Sequence, residues 1–179
     1  ATVTSGTGQI DTAADFELSN GEYLYKTDNA SLSPTGDLTI GMWIKPETLA
    51  VSTHYHLLSK FDYGASEKSY MLRFVSNATA GLIQFVNSAN GSDETGATTT
   101  TQWSAGSWQH VAVTYDASAG TCKFYKDGAY LTGEDGSSLA TSLEDNASRF
   151  LLGAIDNNDT AELFYDGLQD EVRLHSGIL

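Results

Sequence analysis

Cysteine is almost absent from the 179 residues: Cys122 stands alone, so no internal disulfide can form. Only Lys123 adjoins it, and a reactive thiol wants a more positive neighbourhood, so Cys122 reads as a buried, inert thiol. Basic residues are scarce too. Nine Lys and Arg stand against 23 Asp and Glu, a formal net charge of −14. That balance argues against nucleic acid, because phosphate binding needs clustered Lys and Arg, and against anionic membrane surfaces. Long apolar runs are missing. The longest, about Phe150 to Ile155, falls far short of the ~20 residues of a membrane-spanning helix, so no membrane insertion is expected. The start, Ala1-Thr2-Val3-Thr4, lacks the basic and apolar pattern of a signal peptide; a removed signal and a domain cut from a longer protein both stay open. Proline occurs twice.

What is present is 40% hydrophobic and 18% charged residues, with 17 Gly and abundant Ser and Thr. A disordered acidic tail would have fewer apolar residues and more charge. The composition suits one turn-rich, all-β domain displayed outside a cell. Residues 1–14 are small and polar and read as a lead-in or linker, leaving residues 15–179 as the domain.

Strand signals then follow one another. In Asp37 to Lys45 (DLTIGMWIK), Leu38, Ile40, Met42 and Ile44 fall on one face and Trp43 on the other, and Pro46 closes the strand. In Trp108 to Tyr115 (WQHVAVTY), Val111, Val113 and Tyr115 share a face. Cys122 to Leu131 contains Asp127-Gly128, a type I′ hairpin signal. Tyr70 to Val75, Leu82 to Val86, Phe150 to Ala154 and Leu163 to Leu174 supply further strands. No window of 11 or more residues holds a helical stripe, and no repeat of solenoid or propeller length occurs. A dozen or so short strands imply an antiparallel two-sheet sandwich or jelly roll.

Three segments in order carry a resemblance. They are FELSNGEYL with SLSPTGDLTIGMWIKP, then SWQHVAVTYD with KFYKDGAYL, then RFLLGA with YDGLQDEVRL. Together they resemble the laminin-G-like, concanavalin-A-like jelly-roll family over about residues 15–179. The resemblance implies two antiparallel sheets packed face to face and, in most members, a non-catalytic binding module of a larger secreted or virion protein. Carbohydrate ligands and a structural calcium ion are common in it. The family's usual aromatic-Asp-Gly turn is replaced here by Leu18-Ser19-Asn20.

The same fold hosts glycoside hydrolases with Glu-x-Asp-x-Glu on one strand, where alternate carboxylates share a face. No Glu of this chain has an Asp two positions later. No Gly-x-Ser-x-Gly elbow and no Gly-rich phosphate loop is present either, so an enzyme is not expected.

Asp170 shares parity with Leu168, Val172 and Leu174, which predicts a carboxylate facing the core and needing a cation or several donors. A structural Asp accepting backbone N–H bonds, or paired with an Arg, is the alternative. The resemblance implies calcium at Asp170, joined by carbonyls near Asp15 and at Gly36. Asp156-Asn157-Asn158-Asp159 offers a second oxygen-rich loop that reads more simply as a turn, and His54 and His56 share a face without an evident third ligand. For a glycan, Trp43 is the leading stacking platform, with Tyr55 and Tyr63 as weaker candidates. Trp108 and Trp103 are expected in the interior, and His110 as structural. Five Asn-x-Ser/Thr triplets begin at Asn29, Asn77, Asn90, Asn146 and Asn158, where turn chemistry accounts for the same residues.

The expected partner is a neutral glycan or a protein surface, for a module of a larger extracellular or surface-displayed assembly. The acidic balance favours neutral over sulfated or uronic glycans unless calcium bridges them. The alternatives are a decoration domain of a virion or large surface protein, and a glycoside hydrolase lacking the usual motif.

Overall fold

The computed structural model describes residues 2–75 and 77–179. Its first sheet runs in the order β1 (Thr4–Thr7), β2 (Thr12–Phe16), β15 (Gly167–Ser176), β4 (Leu38–Pro46), β9 (Gln109–Asp116), β10 (Thr121–Lys126), β11 (Ala129–Tyr130), all antiparallel. The second runs β14 (Thr160–Glu162), β13 (Ile155–Asn157), β5 (Tyr55–Asp62), β6 (Glu67–Phe74), β7 (Leu82–Gly91), β8 (Thr95–Gln102). Beside β5, β12 (Phe150–Leu152) also pairs with β3 (Leu24–Lys26), and β13 meets β5 in parallel.

Period-2 alternation places the core between these sheets. Leu38, Ile40, Met42 and Ile44 of β4 are fully buried, as are Val111, Val113 and Tyr115 of β9. They pack against Leu57, Leu58, Tyr70, Leu72, Phe74, Ile83 and Phe85 from the second sheet. Each such side chain contributes about 1.5–3 kcal/mol through burial. Asp127 and Gly128 both hold positive φ in the β10–β11 turn, as type I′ requires. Cys122 is buried, and burial pushes its thiol up to about 12, which leaves it inert at neutral pH.

Three expectations are corrected. Within residues 1–14, read as a lead-in or linker, Thr4–Thr7 and the start of β2 are paired strand: β1 and β2 form a hairpin, and β2 extends the first sheet through the pairs Gly167–Phe16, Leu168–Asp15 and Gln169–Ala14. Within β2, Ala13 and Phe16 are buried, and Phe16 joins the core. Trp103 is in the interior as expected, but Trp108 is only half-buried.

The third correction concerns the last strand. Gln169 points inward, its Nε2 donating to the Leu57 carbonyl at 3.0 Å. Leu168 and Asp170 therefore face outward, beside Lys45 and Trp43. The register then jumps from Asp170–Trp43 to Arg173–Gly41, so three steps on β15 match two on β4. Glu171 absorbs the extra residue at φ 48°, a β-bulge. Beyond the bulge Leu174 pairs with Ile40 and faces the core, while Arg173 and His175 face outward. The shared parity of Asp170 and Leu174 thus hides opposite directions.

Candidate functional site

The bulge builds a groove on the outer face of the first sheet. One row across the strands is Arg173 (β15), Gly41 (β4), Ala112 (β9), Tyr125 (β10) and Tyr130 (β11). The row above is Asp170, Trp43 and His110; the row below is His175, Thr39, Thr114 and Lys123. Gly41 and Ala112 lack bulk, so the centre sinks between taller neighbours. From β15 to β10 is three strand spacings, about 14 Å.

The central depression has a volume of about 350 Å³, lined by Thr39, Gly41, His110, Ala112, Thr114, Tyr125, Gly128, Arg173, His175 and Leu179. That is within the usual size of small-ligand sites. A second hollow of about 250 Å³ continues past Trp43 and Glu171 to Ile10 and shares Gly41, His110 and Arg173 with the first. A third, of about 230 Å³, extends the line to Lys123 and Ile178.

Each wall is held in place. The Trp43 and His110 rings meet edge to face with centroids 5.2 Å apart. The backbone N–H of His110 donates to Asp127 Oδ1 at 2.7 Å, tying β9 to the hairpin turn. Burial holds the His110 imidazole below its ordinary value, with Asp127 opposing and Arg173 reinforcing the shift. Tyr125 packs on Tyr130 at 5.6 Å, and the Lys123 ammonium lies 5.7 Å from the Tyr130 ring. Arg173 Nη2 donates to Glu171 Oε2 at 2.5 Å.

The sequence-predicted ligand residues do not converge. Trp43 lines the groove as expected for a platform. Tyr55 is 3% exposed with its hydroxyl accepting from Ala50 N, so no sugar can stack on it. Tyr63 belongs to the second sheet's apolar cluster with Phe61, and its hydroxyl accepts from Arg73. The residues the sequence reading missed are His110, Arg173, His175, Tyr125 and Lys123. His110 and Arg173 were legible, because their parities oppose Val111 and Leu174.

The expected calcium ligands are not assembled either. Asp170 pairs with Trp43, whereas Gly36 lies beyond Leu38, more than about 17 Å along the strand at 3.3 Å per residue. Asp170 Oδ2 accepts from Ile10 N and Oδ1 from Glu171 N, each at 2.8 Å. Both oxygens are therefore met by backbone donors, one of which fastens the N-terminal hairpin. Asp15 sits two residues off that rung with Oδ1 buried and unpartnered.

Among the described residues, the group with metal-ligand spacing is Asp62, Asp156 and Asp159, whose carboxylate oxygens lie within 4.8 Å of one another. It has the oxygen chemistry of a hard-cation site. Its charge is already partly met: Arg149 grips Asp156 with Nε at 2.9 Å and Nη2 at 2.5 Å. Asp62 accepts four backbone N–H groups, from Gly64, Ala65, Asn158 and Asp159.

His54 and His56 rings lie 6.2 Å apart. His56 is buried with Nδ1 3.3 Å from the Leu163 carbonyl, and burial lowers it to about 3, so it is neutral. The triplet at Asn146 is structural: its Oδ1 binds Lys60 and Ser148, and its Nδ2 is buried.

Residues 18–179 match the family described as the concanavalin A-like lectin/glucanases superfamily. A search of curated proteins finds no match. Among solved structures the chain is similar to domain 4 of AbnA, a GH43 extracellular arabinanase from Geobacillus stearothermophilus, in complex with arabinotriose. That match has 22% identity and a TM-score of 0.67, covering 99% of this chain and 76% of that one. The CBM40 of Ruminococcus gnavus IT-sialidase, bound to α2,3-sialyllactose, matches at 12% identity and TM-score 0.69, covering 100% of this chain and 94% of that one. The binding domain of Paraclostridial Mosquitocidal Protein 1 matches at 15% identity and TM-score 0.75, covering 99% of this chain and 43% of that one. With the family match spanning residues 18–179 of this sandwich, the chain belongs to the concanavalin A-like lectin/glucanase superfamily.

Proposed function

We propose that this domain is a non-catalytic carbohydrate-binding module, displayed outside the cell as part of a larger protein, that seats a glycan across the outer face of the first sheet. The observation that carries this reading is the groove's construction. A floor of Gly41 and Ala112 runs between aromatic walls at Trp43 and Tyr125, with polar groups at Thr39, Thr114, His110, His175 and Arg173. Sugar rings offer apolar C–H faces for aromatic stacking and hydroxyls for the polar rim. Two structures of the same fold hold arabinotriose and sialyllactose. The non-catalytic part of the reading rests on the lining. None of the described residues around the central depression is a carboxylate, and glycoside hydrolysis ordinarily uses two across the scissile bond.

Two outward substitutions test the site without touching the core. Trp43→Ala removes a platform, and Ala112→Leu fills the floor. Each is expected to weaken binding on a glycan array or affinity gel tenfold or more, about 1.4 kcal/mol. Unchanged melting temperatures would show that both variants fold. Wild-type retention by no polysaccharide, or full binding by Ala112→Leu, would overturn the reading.

This reading needs no calcium. Arg149 and the backbone donors of Asp62 already serve the three-aspartate group, and Asp170 is capped by two N–H groups. The melting temperature in millimolar calcium and in excess chelator is therefore expected to agree within a degree or so. A calcium-dependent rise that Asp159→Asn abolishes would instead place an ion at the three aspartates.

A further inference from the structure

The groove gathers side chains that are scarce elsewhere in this acidic chain. Within a net charge of −14, two of four histidines and two of nine Lys and Arg meet on this face: His110, His175, Arg173 and Lys123. His110, His175 and Arg173 line the central depression, which has no carboxylate among its described lining residues, and Lys123 lines the adjoining hollow with Asp116. The acids nearby are otherwise engaged. Asp170 accepts two backbone N–H groups, Asp127 accepts the His110 N–H, Glu171 pairs with Arg173, and Asp116 accepts from Ser118 Oγ and Ala119 N.

We infer that the groove is specific for an acidic saccharide, a sugar bearing a carboxylate as uronic acids do, with that carboxylate docked on the Arg173 guanidinium. The inference rests on the groove being the glycan site, and it replaces the neutral ligand expected from the whole-chain charge. A ligand responds to the field where it binds, and at physiological ionic strength surface charges beyond about 8 Å are largely screened.

Arg173 is suited to the role. Its side chain is 66% exposed and bonds Glu171 through Nη2. No other described residue bonds Nε or Nη1, which leaves a side of the planar fork for a second carboxylate in bidentate contact. An exposed ion pair such as Arg173–Glu171 is worth about 0–1 kcal/mol, so a ligand can share the guanidinium at little cost. Across the Gly41–Ala112 floor, Tyr125 offers the ring face and Lys123 a second cation for the next charged unit of a chain.

The test uses matched ligands that differ in charge alone. Tetragalacturonate and a hyaluronan tetrasaccharide are each titrated calorimetrically against their methyl esters, with wild type, Arg173→Gln and Arg173→Lys. The expected result is an acid form at least tenfold tighter than its ester, a preference that fades in high salt. Arg173→Gln should reduce the preference for acid over ester below about threefold, and Arg173→Lys should restore part of it. Equal binding of acid and ester, or of neutral glycans alone, would overturn the acidic specificity and leave the glycan groove standing. An acid preference that survives Arg173→Gln would overturn the docking on Arg173. Absence of binding to every glycan, charged or neutral, would overturn both readings.

Discussion

Replacing Lys60 by methionine is expected to lower folding stability by about 3–5 kcal/mol, the usual cost of removing one partner from a buried ionic arrangement. The Lys60 side chain has no exposed surface, on a β5 strand whose eight residues are all buried. Its ammonium donates to the carbonyls of Asn146 and Ser148, each at 2.8 Å, and to Asn146 Oδ1 at 3.2 Å, and it lies 3.0 Å from Asp28 Oδ1. One cation thus gathers the segment before β12 and the loop after β3 onto the middle of the second sheet. Methionine keeps the apolar stem and removes only the charge and donors. Two main-chain carbonyls then lose this donor, while Asn146 Oδ1 keeps Ser148. Asp28 loses less, because its side chain is 39% exposed and water can replace the ammonium. The hydrogen bond from Lys60 holds the Asp28 carboxyl below its ordinary value, so Asp28→Asn should cost less than about 1 kcal/mol. Chemical denaturation of the three proteins measures both figures. A loss below about 1 kcal/mol for Lys60→Met would mean that water enters and solvates the carbonyls.

The same strand shows where sequence reading stops. β4 and β9 alternate because one face meets the core and the other the groove, so period 2 is visible in their residues. β5 (YHLLSKFD) is covered on both faces, and its polar members Ser59, Lys60 and Asp62 are satisfied internally, so no period survives. β8 fails oppositely: its run TGATTTTQ lies at the sheet's edge with little to bury. The Asp127-Gly128 turn was legible because its backbone demands those residues. The Glu171 bulge was not, since a glutamate at positive φ leaves no mark in the sequence. That single residue reversed the direction assigned to Asp170, while Arg173 and His175 lie outward as the parity of Leu174 requires. The site was therefore half legible: Trp43 and the parities of His110 and Arg173 could be read, whereas the direction of Asp170 could not.

Replacing Asp62 by alanine is expected to cost about 2–3 kcal/mol at neutral pH and less in acid. The carboxylate is 3% exposed and joins two turns. Oδ1 accepts from Gly64, Ala65 and Asn158 at 2.9, 3.1 and 2.8 Å, and Oδ2 from Asp159 at 3.0 Å. The turns also touch: a Cβ on Gly64 would stand 2.2 Å from Asn158, so that glycine permits the approach. An unpartnered donor costs about 1–3 kcal/mol when dry. Gly64, Ala65, Asn158 and Asp159 are all exposed at the surface, so water recovers part of the four bonds and the total stays well below their sum. Relief of repulsion from Asp156 and Asp159 opposes the loss, but Arg149 already neutralises Asp156. Burial pushes the Asp62 carboxyl upward, and the four N–H bonds outweigh it, holding it below the ordinary 3.8. A carboxyl with a lowered folded value contributes stability that is fully present above 3.8 and fades as pH falls through the folded value. The stability gap between wild type and Asp62→Ala should therefore be constant from pH 7 to about 5 and narrow below 3.8. Urea titrations at pH 7, 5 and 3 measure it. A gap that stays constant to pH 3 would mean that the negative charge of Asp62 does not hold the two turns together.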